Sequence, residues 1–141
     1  MSVQVAFEKY ADFLENLTIE NIPDLNNFVT NDVLFIDPFH QVKGVENMSE
    51  IFVHLFEKVP NITFKIENCA TNGAIVYFNW SLNGNLSGKP WDVEGVTRLK
   101  FNKKIQIIEH IEYWDAASQF YEKFSIIGPL LRHFRRRISN Q

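Results

Sequence analysis

The stretch VLFIDPFHQVKG, residues 33–44, decides how the chain is organised. It begins as an apolar run of strand-forming residues, and an acid, Asp37, follows among apolar neighbours. Asp is depleted in strands and is seldom buried without a partner. Pro38 ends the run, because its nitrogen carries no hydrogen for a strand ladder. Asp37 is therefore either a turn-forming residue or the polar group of a pocket.

Composition indicates a single globular domain with an unusual number of aromatic side chains. The 141-residue chain is long enough to bury its own core. Apolar residues make up 45%, and thirteen residues are Phe, which favours a cavity lined by rings. The single cysteine, Cys69, excludes an internal disulfide, and the first residues show no signal-peptide pattern. We therefore expect a cytoplasmic protein.

Charge is distributed unevenly along the chain. All 17 acids and ten of the 14 Lys and Arg residues lie in residues 1–131, so this part is acidic. Residues 132–141 carry four Arg and no acid. The acidic body argues against a general nucleic-acid binder, and the basic tail calls for a separate explanation.

Helical spacing dominates before and directly after the 33–44 stretch. Apolar residues at steps of three and four predict a first helix that includes Tyr10. Asn21 is placed to cap a short second helix with Pro23 in its first turn, and its buried face would run to Val29. Gly44 precedes a third helix, which carries an apolar stripe that includes Phe56 and which Pro60 ends.

The pattern then changes to the period of strands, with a strand predicted to start at 33 and four more further on. The later strands are predicted at 61–69, 73–86, 91–102 and 104–114. Turn-forming residues separate them, including SGKP at 87–90.

The order of elements predicts an α+β fold, with three N-terminal helices packed on one face of a curved antiparallel sheet. Residues 1–127 would form this domain. Residues 128–141 would form a basic tail, with a break at Gly128-Pro129 and a last helix over about 130–138.

Three segments carry a resemblance to a known family. They are FIDPFHQVKG (35–44), VEGVTRLKF (93–101) and HIEYWDAASQFYEKF with GPLLR (110–124 and 128–132). With the order of elements, they resemble the nuclear transport factor 2-like superfamily, which includes ketosteroid isomerases and SnoaL-like polyketide cyclases. They look most like bacterial SnoaL-like proteins of unassigned function. The resemblance covers roughly residues 5–120 and implies a cystatin-like cone with a pocket between the helices and the concave sheet face.

The resemblance also implies roles for particular residues. Asp37, the acid before a proline, matches the general base of the ketosteroid isomerases. Tyr10 matches their oxyanion-hole tyrosine. Thr97 stands where those enzymes carry a second donor, a protonated acid, and a hydroxyl is a weaker donor to a developing enolate. Steroid isomerisation by the same mechanism is therefore disfavoured.

The last predicted strand offers other polar groups. Side chains alternate across a strand, so His110, Glu112 and Trp114 share one face. Alignment with the isomerases turns this face toward the pocket, where Glu112 would orient the His110 ring. SnoaL-like cyclases use an acid and a histidine without metal, and the acid here is left open among Asp37, Glu112 and Asp115.

The remaining candidates have simpler readings beside the functional one. His40, Phe56, Trp80, Thr97 and Trp114 are candidate ligand-binding residues. By type, a His in such a loop is more often a loop or rim residue, and a Trp is more often a core or rim residue, than a ligand contact. Asp37 can serve its turn alone, Tyr10 can be an ordinary core aromatic, and His110 can lie on the convex face.

No cofactor or metal is expected. The histidines lie in different predicted elements, and the spacings HxH, HExxH and CxxC are absent, as are phosphate-loop and dinucleotide-binding glycine patterns.

Function and partners follow as expectations. The predicted ligand is a small apolar carbonyl or lipid-like molecule. The predicted chemistry is cofactor-free isomerisation, cyclisation or hydration, with Asp37 as base and Tyr10 as oxyanion donor. The alternative is a binding module without catalysis. The resemblance implies a homodimer through the sheet. The tail either docks on the body or, over 130–141, contacts an anionic membrane surface such as the inner membrane face.

Overall fold

The computed structural model describes residues 1–124 and 127–139, with helices at both ends of the chain and strands between them. The last two residues of the predicted tail, 140 and 141, lie outside the described residues, as do 125 and 126. The helices are α1 (Val3–Glu15), a 3₁₀ helix (Ile22–Asn27), α2 (Val45–Lys58), α3 (Ala116–Gln119), a second 3₁₀ helix (Tyr121–Lys123) and α4 (Ile127–Ser139). The strands are β1 (Val29–Ile36), β2 (Gln41–Lys43), β3 (Thr63–Asn72), β4 (Ile75–Leu86), β5 (Lys89–Phe101) and β6 (Ile107–Tyr113).

Within the described residues, the six strands form one sheet in the order β2-β1-β6-β5-β4-β3. Strands β3 to β6 form the predicted antiparallel meander. Strand β1 pairs with β6 in parallel, so the end of β1 lies beside the middle of β6. The predicted α+β fold, with helices on a curved sheet, is confirmed.

The helices reach the sheet through the apolar positions that their spacing predicts. In α1 the buried residues are Ala6, Phe7, Tyr10 and Leu14. In α2 they are Val45, Met48 and Phe52. Each large side chain buried here stabilises the fold by about 1.5–3 kcal/mol, so these two faces fix the helices on the sheet. No helix in the described ranges is long and apolar enough to cross a membrane.

Several predicted boundaries are wrong. Strand β1 begins at Val29 rather than at 33, so Val29 belongs to the sheet and not to the second helix, which is a 3₁₀ helix. Strand β2 was not expected and pairs with the end of β1. Asp37 and Pro38 turn the chain here, which brings Gln41 opposite Ile36.

Two predicted breaks are also wrong. Ser87 and Gly88 both have positive φ and complete a two-residue hairpin turn by themselves, so β5 starts at Lys89. Gly128 and Pro129 lie in the first turn of α4, where proline needs no hydrogen-bond donor, and so they begin the helix rather than interrupt it.

The register of the meander decides which residues face the helices. Phe78 pairs with Thr97, and Thr97 pairs with Glu112. Directly opposed residues on neighbouring strands point to the same face. This concave face also carries His110, whose partner on β5 is Leu99.

Candidate functional site

The site lies between the helices and the concave face of the sheet, where two neighbouring cavities share part of their lining. The larger has a volume of about 260 Å³ and is lined by residues of β1, α2, β4, β5 and β6 and the segment after β6. The smaller, about 80 Å³, lies between α1, α2 and the sheet. Glu112, Trp80 and Phe52 line both.

Three polar side chains form a hydrogen-bonded chain from the core to the cavities. The Tyr10 hydroxyl lies 2.9 Å from Nδ1 of His110. Nε2 of His110 lies 3.1 Å from Oε1 of Glu112. His110 is 2% exposed, whereas the Glu112 side chain is 21% exposed. Glu112 is thus the most exposed member of this hydrogen-bonded chain.

The proton positions in this chain follow from the chemistry of its ends. Burial raises the pKa of Tyr10 well above its usual value of 10, and the nearby Glu112 charge raises this pKa further. Tyr10 therefore keeps its proton. A carboxylate accepts only, so Nε2–H of His110 donates to Glu112, and in the tautomer that carries only this hydrogen Nδ1 accepts from the Tyr10 hydroxyl. Each polar atom between Tyr10 and Glu112 then has a partner.

Aromatic rings fix the orientation of the His110 imidazole. The Tyr10 ring stands edge-on to it at a centroid distance of 5.8 Å. The rings of Phe35 and Phe52 lie at 5.2 and 6.3 Å. Phe35 lies on β1, and the parallel pairing of β1 with β6 places it beside His110. The imidazole is therefore held by packing as well as by its two hydrogen bonds.

Asp37 has both of the roles that its sequence position leaves open. Its Oδ1 accepts from the backbone N–H of Phe39 at 2.8 Å and of His40 at 2.7 Å, and so forms the turn after β1. Nδ1 of the His40 ring lies 2.9 Å from the same oxygen. Asp37 and His40 also line the larger cavity. The carboxylate is thus part of the cavity wall, and three donors already surround its Oδ1.

The sequence-predicted catalytic residues are not all brought to one point. Asp37 lines the larger cavity, His110 lines the smaller one, and Glu112 lines both. Tyr10 is fully buried behind His110 and is not among the described residues that line either cavity. The Tyr10 hydroxyl is hydrogen-bonded to the His110 imidazole, and its role as an oxyanion donor stays a prediction.

The predicted ligand-binding residues all lie in the cavity walls. His40 and Trp114 line the larger cavity, Phe56 and Thr97 line the smaller one, and Trp80 lines both. Their contact with a ligand stays a prediction.

Thr97 and Trp80 are linked to each other. The Thr97 hydroxyl accepts from Nε1 of Trp80 at 2.8 Å. Gly95, the register partner of Trp80, makes room for the indole, since a Cβ there would lie 2.5 Å from the Trp80 ring. The indole therefore lies flat against the strand and directs its N–H to Thr97.

Asp115, the third acid considered as a base, has a different role. Its side chain caps α3 by accepting from Ala117 N and Ser118 N, and its other oxygen accepts from the Ser118 hydroxyl at 2.6 Å. The Ser118 hydroxyl bond is the main cause that lowers the pKa of Asp115. Asp115 is not among the described residues that line the two cavities.

Sequence reasoning missed an aromatic wall at one end of the larger cavity. Phe39 lies 5.4 Å from Trp114 and 5.0 Å from Phe120, and Trp91 lies 6.0 Å from Phe120, all between ring centroids. Phe120 follows α3, and nothing in its local pattern indicates the cavity.

The segment that carries Phe120 is fixed by its neighbour Gln119. The Gln119 side-chain amide accepts from Glu94 N at 2.7 Å and donates to Glu94 O at 3.1 Å. The Gln119 amide thereby pairs with backbone groups of β5 beyond Val96, the last residue there that pairs with β6.

His54 and Lys58 also line the larger cavity and were not predicted as site residues. They are four residues apart on α2 and so share one face of the helix. That spacing, next to the apolar stripe, is the signal that could have identified them.

The described residues contain no group of three or more His, Cys, Asp and Glu that could hold a metal ion. The predicted absence of a metal and of a cofactor stays a prediction. The groups that are present can accept, hold and return a proton: one carboxylate–imidazole pair, Glu112 and His110, and a second, Asp37 and His40, where Asp37 and Glu112 follow the paired residues Ile36 and Ile111.

Comparison with solved structures agrees with this architecture. A protein from Catenulispora acidiphila with a ketosteroid isomerase-like fold, solved with trimethylamine, aligns at a TM-score of 0.69 and 18% identity, over 81% of this chain and 88% of that one. A SnoaL-like polyketide cyclase from Agrobacterium tumefaciens aligns at 0.67 and 15%, over 82% and 92%.

An LEH-like epoxide hydrolase from M. tuberculosis aligns at a TM-score of 0.66 and 15% identity, over 99% of this chain and 96% of that one. At such identities the likeness to solved structures shows the fold alone. No curated protein matches the chain.

The family itself is established from the sequence. The family model described as a SnoaL-like domain matches residues 10–110, a span from Tyr10 to His110 that covers more than half of the chain. The chain therefore belongs to the SnoaL-like domain family and has the nuclear transport factor 2-like fold.

Proposed function

We propose that the protein binds a small, mostly apolar molecule in the larger cavity and moves a proton on it without a cofactor. The observation that carries this proposal is the Glu112 carboxylate, which faces both cavities while His110 and Tyr10 hold it from behind. Isomerisation, cyclisation and hydration all need such a step. The names of the similar structures, a cyclase and an epoxide hydrolase, fit this range of reactions.

In this proposal Glu112 is the general base. Its carboxylate takes a proton from a carbon beside a carbonyl, or from a water molecule, and the electron pair moves onto the substrate. His110 is a positioning residue, since its Nε2–H fixes the carboxylate and its Nδ1 is fixed by Tyr10. A positioned base of this kind contributes about 10²–10⁴-fold to a rate.

Asp37 and His40 form the acid of the proposed reaction, which gives a proton to the ligand. Nδ1–H of His40 donates to Asp37, so the second proton, which only the imidazolium form carries on Nε2, is the one that His40 can give to the ligand, and the neutral ring then takes a proton back from water. This assignment replaces Asp37 as the principal base, because its Oδ1 already accepts from three donors.

The test uses deuterium exchange in heavy water with a panel of cyclic ketones and β-diketones, followed by mass spectrometry. The Glu112→Gln variant is expected to lose exchange by about 10²-fold or more, because the amide cannot accept the proton. Glu109→Gln is the matched control, because Glu109 lies on the same strand and pairs with Arg98 on the convex face. Equal exchange by Glu112→Gln and the wild type would remove the proposal.

A binding module without catalysis is the second candidate. Two observations favour it: the Thr97 hydroxyl is taken by Trp80, and the Tyr10 hydroxyl is taken by His110. Native mass spectrometry with the same panel separates the two candidates. Retention of a ligand by the wild type and by Glu112→Gln alike, with no exchange in either, would favour the binding module.

The proposal includes a homodimer formed through the convex face of the sheet. Tyr77, Val96 and Tyr113 are exposed on this face, and Val96 and Tyr113 are register partners. The mass in solution is expected to be that of a dimer. Tyr113→Glu should give a monomer, whereas Tyr121→Glu, at an exposed tyrosine outside the sheet, should not. A monomeric wild type would contradict this part.

A cytoplasmic location is also part of the proposal. Its support is Cys69, a free and exposed thiol, which suits a reducing compartment. Fractionation of cells that express the full chain tests it.

A further inference from the structure

Helix α4 is attached to the body along one side. Arg135 Nε lies 3.0 Å from Oε1 of the buried Glu122, and Arg132 donates to the Glu122 backbone oxygen at 2.5 Å. Gly128 allows this approach, since a Cβ there would overlap the same backbone oxygen. Two arginines and one glycine thus define the side of the helix that faces the body.

The apolar side of α4 faces away from the body. Phe134 is 55% exposed and Ile138 is 82% exposed. Leu130 and Ile127 are exposed as well, and these four residues fall on one helical stripe. The helix therefore does not bury its apolar stripe in the core, although it is anchored to the body.

Charge on α4 indicates what this stripe contacts. Residues 127–139 contain four Arg and no acid, whereas the rest of the chain is acidic. At 100° per residue, Arg137 and Arg135 flank the apolar stripe on its two sides. An apolar stripe flanked by arginines on a helix of low mean hydropathy is typical of helices that lie in the interface of a membrane.

A second copy of the chain suits this surface less well. Pairing two α4 helices through the stripe would bring eight arginines together with no acid on either helix to offset them. An anionic lipid surface supplies the opposite charge, and guanidinium groups bind phosphate oxygens through two hydrogen bonds.

We propose that α4 docks on membranes that contain anionic phospholipids, with Leu130, Phe134 and Ile138 in the interface and Arg137, which flanks the stripe on the side away from Glu122, on the headgroups. This inference is independent of the proposed reaction, because none of these residues lines the larger or the smaller cavity.

The experiment is co-sedimentation of the full chain with phosphatidylcholine vesicles that contain or lack phosphatidylglycerol. The wild type is expected to bind the anionic vesicles and to release them at high salt. Arg137→Gln should weaken binding roughly fivefold. Lys103→Gln, which removes the same charge from the exposed turn between β5 and β6, should leave binding within about twofold.

Phe134→Asp tests the apolar part of the contact and should abolish binding to the same vesicles. Because Phe134 is exposed, circular dichroism and thermal unfolding of this variant are expected to match the wild type. No binding of the wild type to anionic vesicles, or equal binding to neutral ones, overturns the proposal. A dimer that Phe134→Asp dissociates, without vesicle binding, would assign the stripe to a second copy and overturn it too.

Discussion

The hydroxyl of Tyr10 on α1 lies 2.9 Å from Nδ1 of His110 on β6, a contact between residues one hundred positions apart in the chain. This bond joins the first helix to the last strand of the sheet. It also fixes which nitrogen of His110 is left to hold Glu112. Stability and the orientation of the proposed base thus depend on the same hydrogen bond.

Tyr10→Phe removes this bond and leaves Nδ1 of His110 buried without a donor. The free energy of unfolding is expected to fall by about 1–3 kcal/mol, because an unsatisfied buried polar group costs its desolvation. Urea unfolding measures this change. Tyr121→Phe is the matched control at an exposed tyrosine outside the sheet, and it should stay within about 0.5 kcal/mol of the wild type. Equal stability of the two variants would contradict the role of the bond.

Alkaline pH should destabilise the fold through Tyr10. The pKa of Tyr10 is raised in the folded state, so its contribution is fully present below the unfolded pKa of about 10. It is lost as pH rises above that value, since the unfolded chain then releases a proton that the folded chain keeps.

Tyrosinate absorbance measures this effect. Of the four tyrosines, Tyr10 is fully buried and its pKa is raised, so its ionisation should appear only when the chain unfolds. The folded-state titration of Tyr10→Phe should therefore match that of the wild type. A difference between the two folded-state titrations would count against this prediction.

Gly95→Ala should disturb the wall formed by Trp80. The added Cβ would lie 2.5 Å from the indole, so the ring must move, at a cost of about 1–3 kcal/mol of stability. Thermal unfolding and tryptophan fluorescence measure the change. The double variant with Trp80→Phe should show a smaller effect of the alanine, because the smaller ring leaves space. Additive effects of the two changes would contradict the contact.

Asp37→Asn and Asp37→Ala separate the turn from the charge. The asparagine keeps an oxygen for the N–H groups of Phe39 and His40, so its stability should stay within about 1 kcal/mol of the wild type. The alanine loses both bonds and should lose about 1–3 kcal/mol. Asp37→Asn is also expected to slow deuterium exchange less than Glu112→Gln does. The reverse order would make Asp37 the base.

Much of the fold follows from patterns that are local in the sequence. The faces of α1 and α2 follow from helical spacing, because each apolar stripe must be buried somewhere. Side chains alternate along β6, so His110 and Glu112 lie on one face of the sheet whichever strands pair with β6. The boundary errors, at Val29 and at Gly128, come from residues whose type suits both the predicted and the observed element.

The sequence predicted only part of the candidate site. Residues at strand ends could be found, whereas a residue placed by a tertiary contact could not. Asp37 and Trp114 were found from sequence, since they stand at the ends of strands that the fold turns toward one cavity. Phe120 was not found, because its position depends on Gln119 meeting the unpaired edge of β5, a contact set by where β6 ends.

By itself, then, the sequence determined the family, the order of the elements and the face on which His110 and Glu112 lie, since these depend on periodicity and on residue type. Tertiary structure alone decided that the Tyr10 hydroxyl is hydrogen-bonded to His110, and that Glu112 rather than Asp37 is the acid both cavities share. Such facts depend on distances between elements that are remote in the chain, and those distances are fixed by strand register and by the packing of α1 on the sheet.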